Sequence, residues 1–145
     1  MPRIERTADV VWEGNVARGN GAITAGTGAF SALPFSLPSR IGKPEGRTSP
    51  EELLAAAHAA CLTMSLASEL TQAGAPPTRL DVNCRIVMDE VEGEGHQIVG
   101  SQVTIRADAD IDDTGLAAAI ERADAGCPFS TLLRKAGVEL TISRL

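Results

Sequence analysis

The stretch Thr48-Ser49-Pro50-Glu51-Glu52, the run of small and apolar residues behind it, and the stop at Gln72-Ala73-Gly74 constrain this chain more than any other feature. Ser49 can cap a helix, Pro50 suits its first position, and Glu52 can return a capping-box hydrogen bond. Both carboxylates then lie at the positive end of the helix dipole. Gly74 supplies a left-handed stop, with Pro76-Pro77 beyond it. The expected helix has about 23 residues and a length of roughly 35 Å at ~1.5 Å per residue, enough for the spine of a small domain. A chain of 145 residues, 43% of them hydrophobic, can bury a core against that spine as one domain over residues 1–145.

On the N-terminal side, Val10-Val11-Trp12, Ala22-Ile23-Thr24 and Phe30 to Phe35 are strand-forming stretches. Glu13-Gly14-Asn15, Arg18-Gly19-Asn20-Gly21 and Gly26-Thr27-Gly28 punctuate them as turns, giving an antiparallel β meander. A polar loop is expected from Leu37 to Arg47. Beyond the helix, Leu80, Val82, Cys84, Ile86 and Met88 alternate with other residues as in a strand with one buried face. A turn at Glu92-Gly93-Glu94-Gly95 returns the chain along a second strand from about Gln97 to Ala109. Asp113 or Thr114 can cap a second helix with Leu116, Ala119, Ile120 and Ala123 on one face. Cys127-Pro128 opens a short helix through Arg134, and Gly137 leads into the strand Val138-Leu140-Ile142. The expected class is α+β: meander, long central helix, β hairpin, helix pair and C-terminal strand.

Composition narrows the function. Thirteen basic against nineteen acidic residues leave a net charge of −6, with no basic cluster to neutralise phosphates, so no nucleic-acid partner is expected. The most apolar segment, Leu53 to Ala67, is too short for a bilayer and is interrupted by His58. It reads as a buried core helix. The charged opening Met1-Pro2-Arg3-Ile4-Glu5-Arg6 lacks a secretory apolar stretch, so a cytoplasmic location is expected, where thiols stay reduced. Three cysteines spaced 23 and 43 positions apart form neither a disulfide framework nor a CxxC zinc pattern. A redox or nucleophilic role is the one to test.

Cys84 falls on the apolar side of a strand, where a thiol behaves as a small hydrophobe. Cys61 lies in the alanine-rich long helix, a position that by itself reads as structural. Cys127 stands at the N-cap of a helix, where free N–H groups and the dipole stabilise a thiolate, so position alone favours it as nucleophile. His58 is one turn before Cys61 and could pair with it or serve as half of a metal site. Its alternative is a packed core histidine. His96, in a turn, reads as solvated. A zinc site could draw on Cys61, His58, Cys127 and a carboxylate, but the spacing does not favour one.

The run from Thr48 through His58-Ala59-Ala60-Cys61 resembles the long-helix motif of the OsmC/Ohr family of hydroperoxide reductases, and Gly126-Cys127-Pro128-Phe129-Ser130 resembles that family's second-cysteine motif. Trp12-Glu13-Gly14, Arg18-Gly19-Asn20-Gly21 and the Ser39-Arg40 loop are similar to its OsmC branch. The resemblance covers nearly the whole chain. It implies that Cys61 is the peroxidatic thiol, becoming a sulfenic acid as it reduces an organic hydroperoxide. It also implies that Cys127 closes a disulfide with it, for a dithiol reductant such as a lipoyl group to reopen. Matching Ser39-Arg40 and Pro50-Glu51 to the family motifs assigns Arg40 to hold the thiolate ionised and Glu51 to orient Arg40. That assignment reverses the choice made from position.

Spacing adds a constraint. Glu51 and Cys61 are ten positions apart, hence about 15 Å on one straight helix, so they cannot share a site within one chain. An intertwined homodimer with two composite sites, the assembly the resemblance implies, would resolve this. Leu62 and Phe129, where relatives vary, are expected to line the pocket. No flavin or nucleotide fingerprint is present, and no cofactor is assigned. The competing readings are a dimer whose groove holds a small hydrophobic ligand or lipid, and a structural zinc protein.

Overall fold

The sheet-forming stretches near the N-terminus become β1 (Ala8–Glu13), β2 (Asn20–Ala25) and β3 (Leu33–Phe35), an antiparallel sheet in that order, as the meander reading expects. The structure, a computed structural model, describes residues 2–145 and divides into two compact units, one ending at Pro50 and one running Glu51–Leu145. In the first, Gly21 is paired with Trp12 on one side and Phe35 on the other. A Cβ at Gly21 would lie 2.2 Å from the Phe35 ring, which fills that space and tilts at 47° to Trp12 with ring centroids 5.6 Å apart. The glycine is there because an aromatic ring lies over it.

Two expectations need correction here. The third strand begins at Leu33 rather than Phe30, because Ala32 takes a φ of 52° and donates its N–H to the Thr24 hydroxyl at 3.0 Å. Such a backbone cannot continue a ladder. The expected loop after Phe35 opens instead with a short helix, α1 (Leu37–Ile41). Ser36 caps it and Ser39 returns the bond, a reciprocal box that satisfies two free N–H groups, with Pro38 in the first turn.

The second unit is built on α2 (Pro50–Gln72), whose 23 residues start and stop where the sequence places them. Gly74 adopts φ 79°, and the N–H groups of Gly74 and Ala75 turn back to Thr71 and Leu70 carbonyls. By length and composition α2 would suffice to cross a membrane. Its His58-Leu62-Leu66-Leu70 stripe, however, is buried in the unit's core, the place of a core helix.

β4 (Arg79–Val91) and β5 (Gly95–Asp108) form the hairpin. Register moves from Val87 opposite Gly100 to Met88 opposite Ile98, leaving Val99 as an extra residue in a bulge. α3 (Asp113–Ala125) is capped by Asp112, one residue before Asp113 and two before Thr114, the expected caps, through a 2.7 Å bond from the Gly115 N–H. α4 (Pro128–Lys135) follows, and β6 (Glu139–Arg144) returns parallel to β5, giving the order β4-β5-β6. Leu62, Leu66 and Leu70 pack with Val103, Ile105, Ala119, Ile120, Ala123 and Cys127. Leu66→Ala should remove about 2–5 kcal/mol, because a fully buried leucine leaves both lost transfer energy and a cavity. A urea midpoint unmoved by that change would show that the stripe does not carry the core.

Candidate active site

Cys61 and Cys127 come together in the second unit. Cys127 is fully buried at the N-cap of α4, where its sulfur accepts the Ser130 N–H at 3.5 Å and its carbonyl accepts the Thr131 N–H at 3.1 Å. This is the cap position that the Gly-Cys-Pro sequence predicts. Cys61, half-buried on α2, packs with Phe129 against the core that contains Cys127. All three cysteines are free thiols.

Burial is the main effect on Cys61 and pushes its pKa up, the Cys127 thiol adds to this, and only the Phe129 amide pulls it back. A group so placed is a weak thiolate unless a cation is brought to it. Cys84 is likewise pushed up, chiefly by burial, with a partly opposing hydrogen bond from Ser101.

His58 does not bond to Cys61. Fully buried, it bridges Ser101 on β5 at 2.7 Å through Nδ1 and Ser130 on α4 at 2.8 Å through Nε2. The core-histidine alternative is the one the geometry takes. Burial lowers its pKa, Asp124 opposing and Arg134 reinforcing that effect, so the neutral ring is favoured. A neutral ring has one N–H and one lone pair, so it donates to one serine and accepts from the other. Cys84 extends the chain of contacts, its sulfur 3.2 Å from the Ser101 hydroxyl and 3.8 Å from His58 Nδ1. It is a polar-network member as well as a packing residue.

Ser101 and Ser130 are functional candidates that sequence reasoning passes over. Ser130 carries a signal, since it is the third residue after a capping Cys127; Ser101 carries none beyond its place in a strand. Leu62, expected in the pocket, is instead fully buried in the core, because its helical face is the one turned to β5 and α3. Phe129 is partly buried against the same core.

Glu51 sits in the first turn of α2, and ten positions along an unbroken helix separate it from Cys61, a distance of about 15 Å. The chain does not bring the two together. Arg40 lies in the last turn of α1, in the first unit. Among the described residues, no group of three or more His, Cys, Asp or Glu side chains stands placed to hold a metal ion.

Residues 42–143 match the family model described as OsmC-like protein. The chain is 33% identical over 134 residues to peroxiredoxin OsmC of Escherichia coli (strain K12), covering 90% of this chain and 91% of that one. Its fold is similar to organic hydroperoxide resistance protein OhrB of Bacillus subtilis, with a TM-score of 0.76 at 23% identity over 96% of this chain and 98% of that one. It is similar too to an organic hydroperoxide resistance protein OsmC from Legionella pneumophila, with a TM-score of 0.78 at 19% identity over 98% of both chains.

Proposed function

This chain belongs to the OsmC-like protein family, a family with peroxidase members, and from that premise we propose that it is a cysteine-based peroxidase for organic hydroperoxides. The observation that carries the reading is that Cys61 packs against the core that holds Cys127, the N-cap of α4. The Cys61 thiolate attacks the peroxide, the O–O bond breaks, and the alkoxide takes a proton and leaves as an alcohol. Cys61 is left as a sulfenic acid. Cys127 then attacks its sulfur, the S–O bond breaks, and hydroxide leaves as water with the proton from Cys127. A dithiol reductant, of lipoyl type in this reading, reopens the disulfide by two exchanges. No bound cofactor takes part, and the chain acts as a single functional domain in the cytoplasm.

Arg40 is assigned to the Cys61 thiolate and Glu51 to Arg40. What supports the need for a cation is the upward push that burial gives Cys61. The separation of Glu51 from Cys61 on one helix supports an intertwined homodimer, in which one subunit's Glu51 end completes the other's cysteine pair. So does the apolar surface: Val10, Val11, Met64 and Leu132 are each more than half exposed in the single chain. Light scattering at assay concentration should give twice the 15.1 kDa chain mass. A fully active monomer would remove the composite site.

One equivalent of cumene hydroperoxide should cost the reduced protein two thiols and ~2 Da of intact mass as the disulfide closes. If no thiol reacts, the peroxidase reading falls and a dimer binding a small hydrophobic ligand or lipid takes its place.

A further inference from the structure

His58 and Cys61 stand one turn apart on α2, and both engage the first turn of α4. Cys61 packs with Phe129 against the core that contains Cys127. His58 Nε2 is 2.8 Å from the Ser130 hydroxyl, while the amide of that same serine donates to the Cys127 sulfur at 3.5 Å. The other ring nitrogen is 2.7 Å from Ser101 on β5, the middle strand of its sheet. The grip on α4 is thereby fixed to the sheet.

We propose that His58 is a positioning residue for the second step: by holding Ser130 it keeps Cys127 capped and within reach of Cys61. This role rests on the peroxidase reading. The contact it would protect is a long one, and α4 has only eight residues, too few to stay ordered without packing. His58 and Ser130 are fully buried, so neither can meet a peroxide. Their task is orientation.

The step at stake needs no further reactant. Cys127 attacks the Cys61 sulfenic acid, the S–S bond forms as S–O breaks, and the departing hydroxide takes the Cys127 proton to make water. A second peroxide molecule competes by transferring an oxygen to the sulfenic sulfur, giving a sulfinic acid and another alcohol. How often Cys127 is in place sets the ratio of disulfide to sulfinic acid.

That ratio is the measurement, read by intact mass on the full chain over a series of cumene hydroperoxide concentrations. His58→Leu should lower it by about three- to tenfold, the factor that one lost net hydrogen bond corresponds to. Ser130→Ala keeps the amide but removes the hydroxyl, and should match it; the double variant should be no worse than either. His58→Gln, which retains hydrogen-bonding capacity, should recover part of the loss. A ratio equal to wild type in His58→Leu, or fully additive effects in the double variant, would overturn the proposal. Should His58→Leu fail to fold, Ser130→Ala decides the question by the same ratio. The same spectra separate the role of His58 from the enzyme activity itself: if wild-type Cys61 is not oxidised, the peroxidase reading fails and this inference with it. If wild type closes its disulfide and the variants do so equally well, only the role of His58 fails.

Discussion

Cys61→Ser is expected to abolish peroxide consumption, with a loss of about a thousandfold or more, as for removal of a nucleophile from an enzyme that works through one. The fall should occur even though Cys127 keeps the better local setting, at a helix N-cap with the Ser130 amide on its sulfur. Burial is what separates the two thiols: Cys127 is fully enclosed and Cys61 only partly so. An enclosed thiolate cannot reach a peroxide, whatever its charge. Cys127→Ser should still consume one equivalent and stop with Cys61 as a sulfenic acid, or carry it on to higher oxides. Peroxide consumption by Cys61→Ser through Cys127 would exchange the two roles.

Arg40→Met should slow peroxide reduction at neutral pH by about tenfold or more, the scale of a lost charge-assisted hydrogen bond. The sign follows from the protonation state. Attack needs the thiolate, burial already pushes the Cys61 pKa up, and removing a cation pushes it further in the same direction. The rate should then rise only at higher pH, and the variant should approach wild type once Cys61 ionises in both. A pH–rate profile identical to wild type would take Arg40 out of the mechanism.

Local chemistry is legible in the sequence, and long-range chemistry is not. Pro50 and Gly74 bracket α2 correctly because a proline at a helix start and a glycine at φ 79° act within a few residues. Cys127 reads as an N-cap for the same reason. The helix α1 escapes notice although Ser36 and Ser39 carry a capping box, since Pro38, Gly42 and Pro44 read as loop punctuation. His58 is the instructive case. Its partners lie 43 and 72 positions away in the sequence, so no spacing rule could find them, and the neighbour that helical periodicity offers, Cys61, is not one of them. Glu51 shows the reverse: one helix is enough to show that it and Cys61 cannot meet in one chain.

The parallel pairing of β6 with β5 also fixes an order of events during synthesis. An antiparallel hairpin such as β4–β5 can close as soon as its turn has left the ribosome, whereas β6 must wait for α3 and α4 and then return to lie beside Gly100 to Ile105. α4, which carries Cys127, is held between two elements of that crossover, with β6 only a short turn beyond it. Before Glu139–Arg144 dock, the far end of α4 has its ion pair from Arg134 to Asp124 of α3 but not yet its strand. Cys61 is thus made well before Cys127, and the strand that completes the sheet beside them is made last.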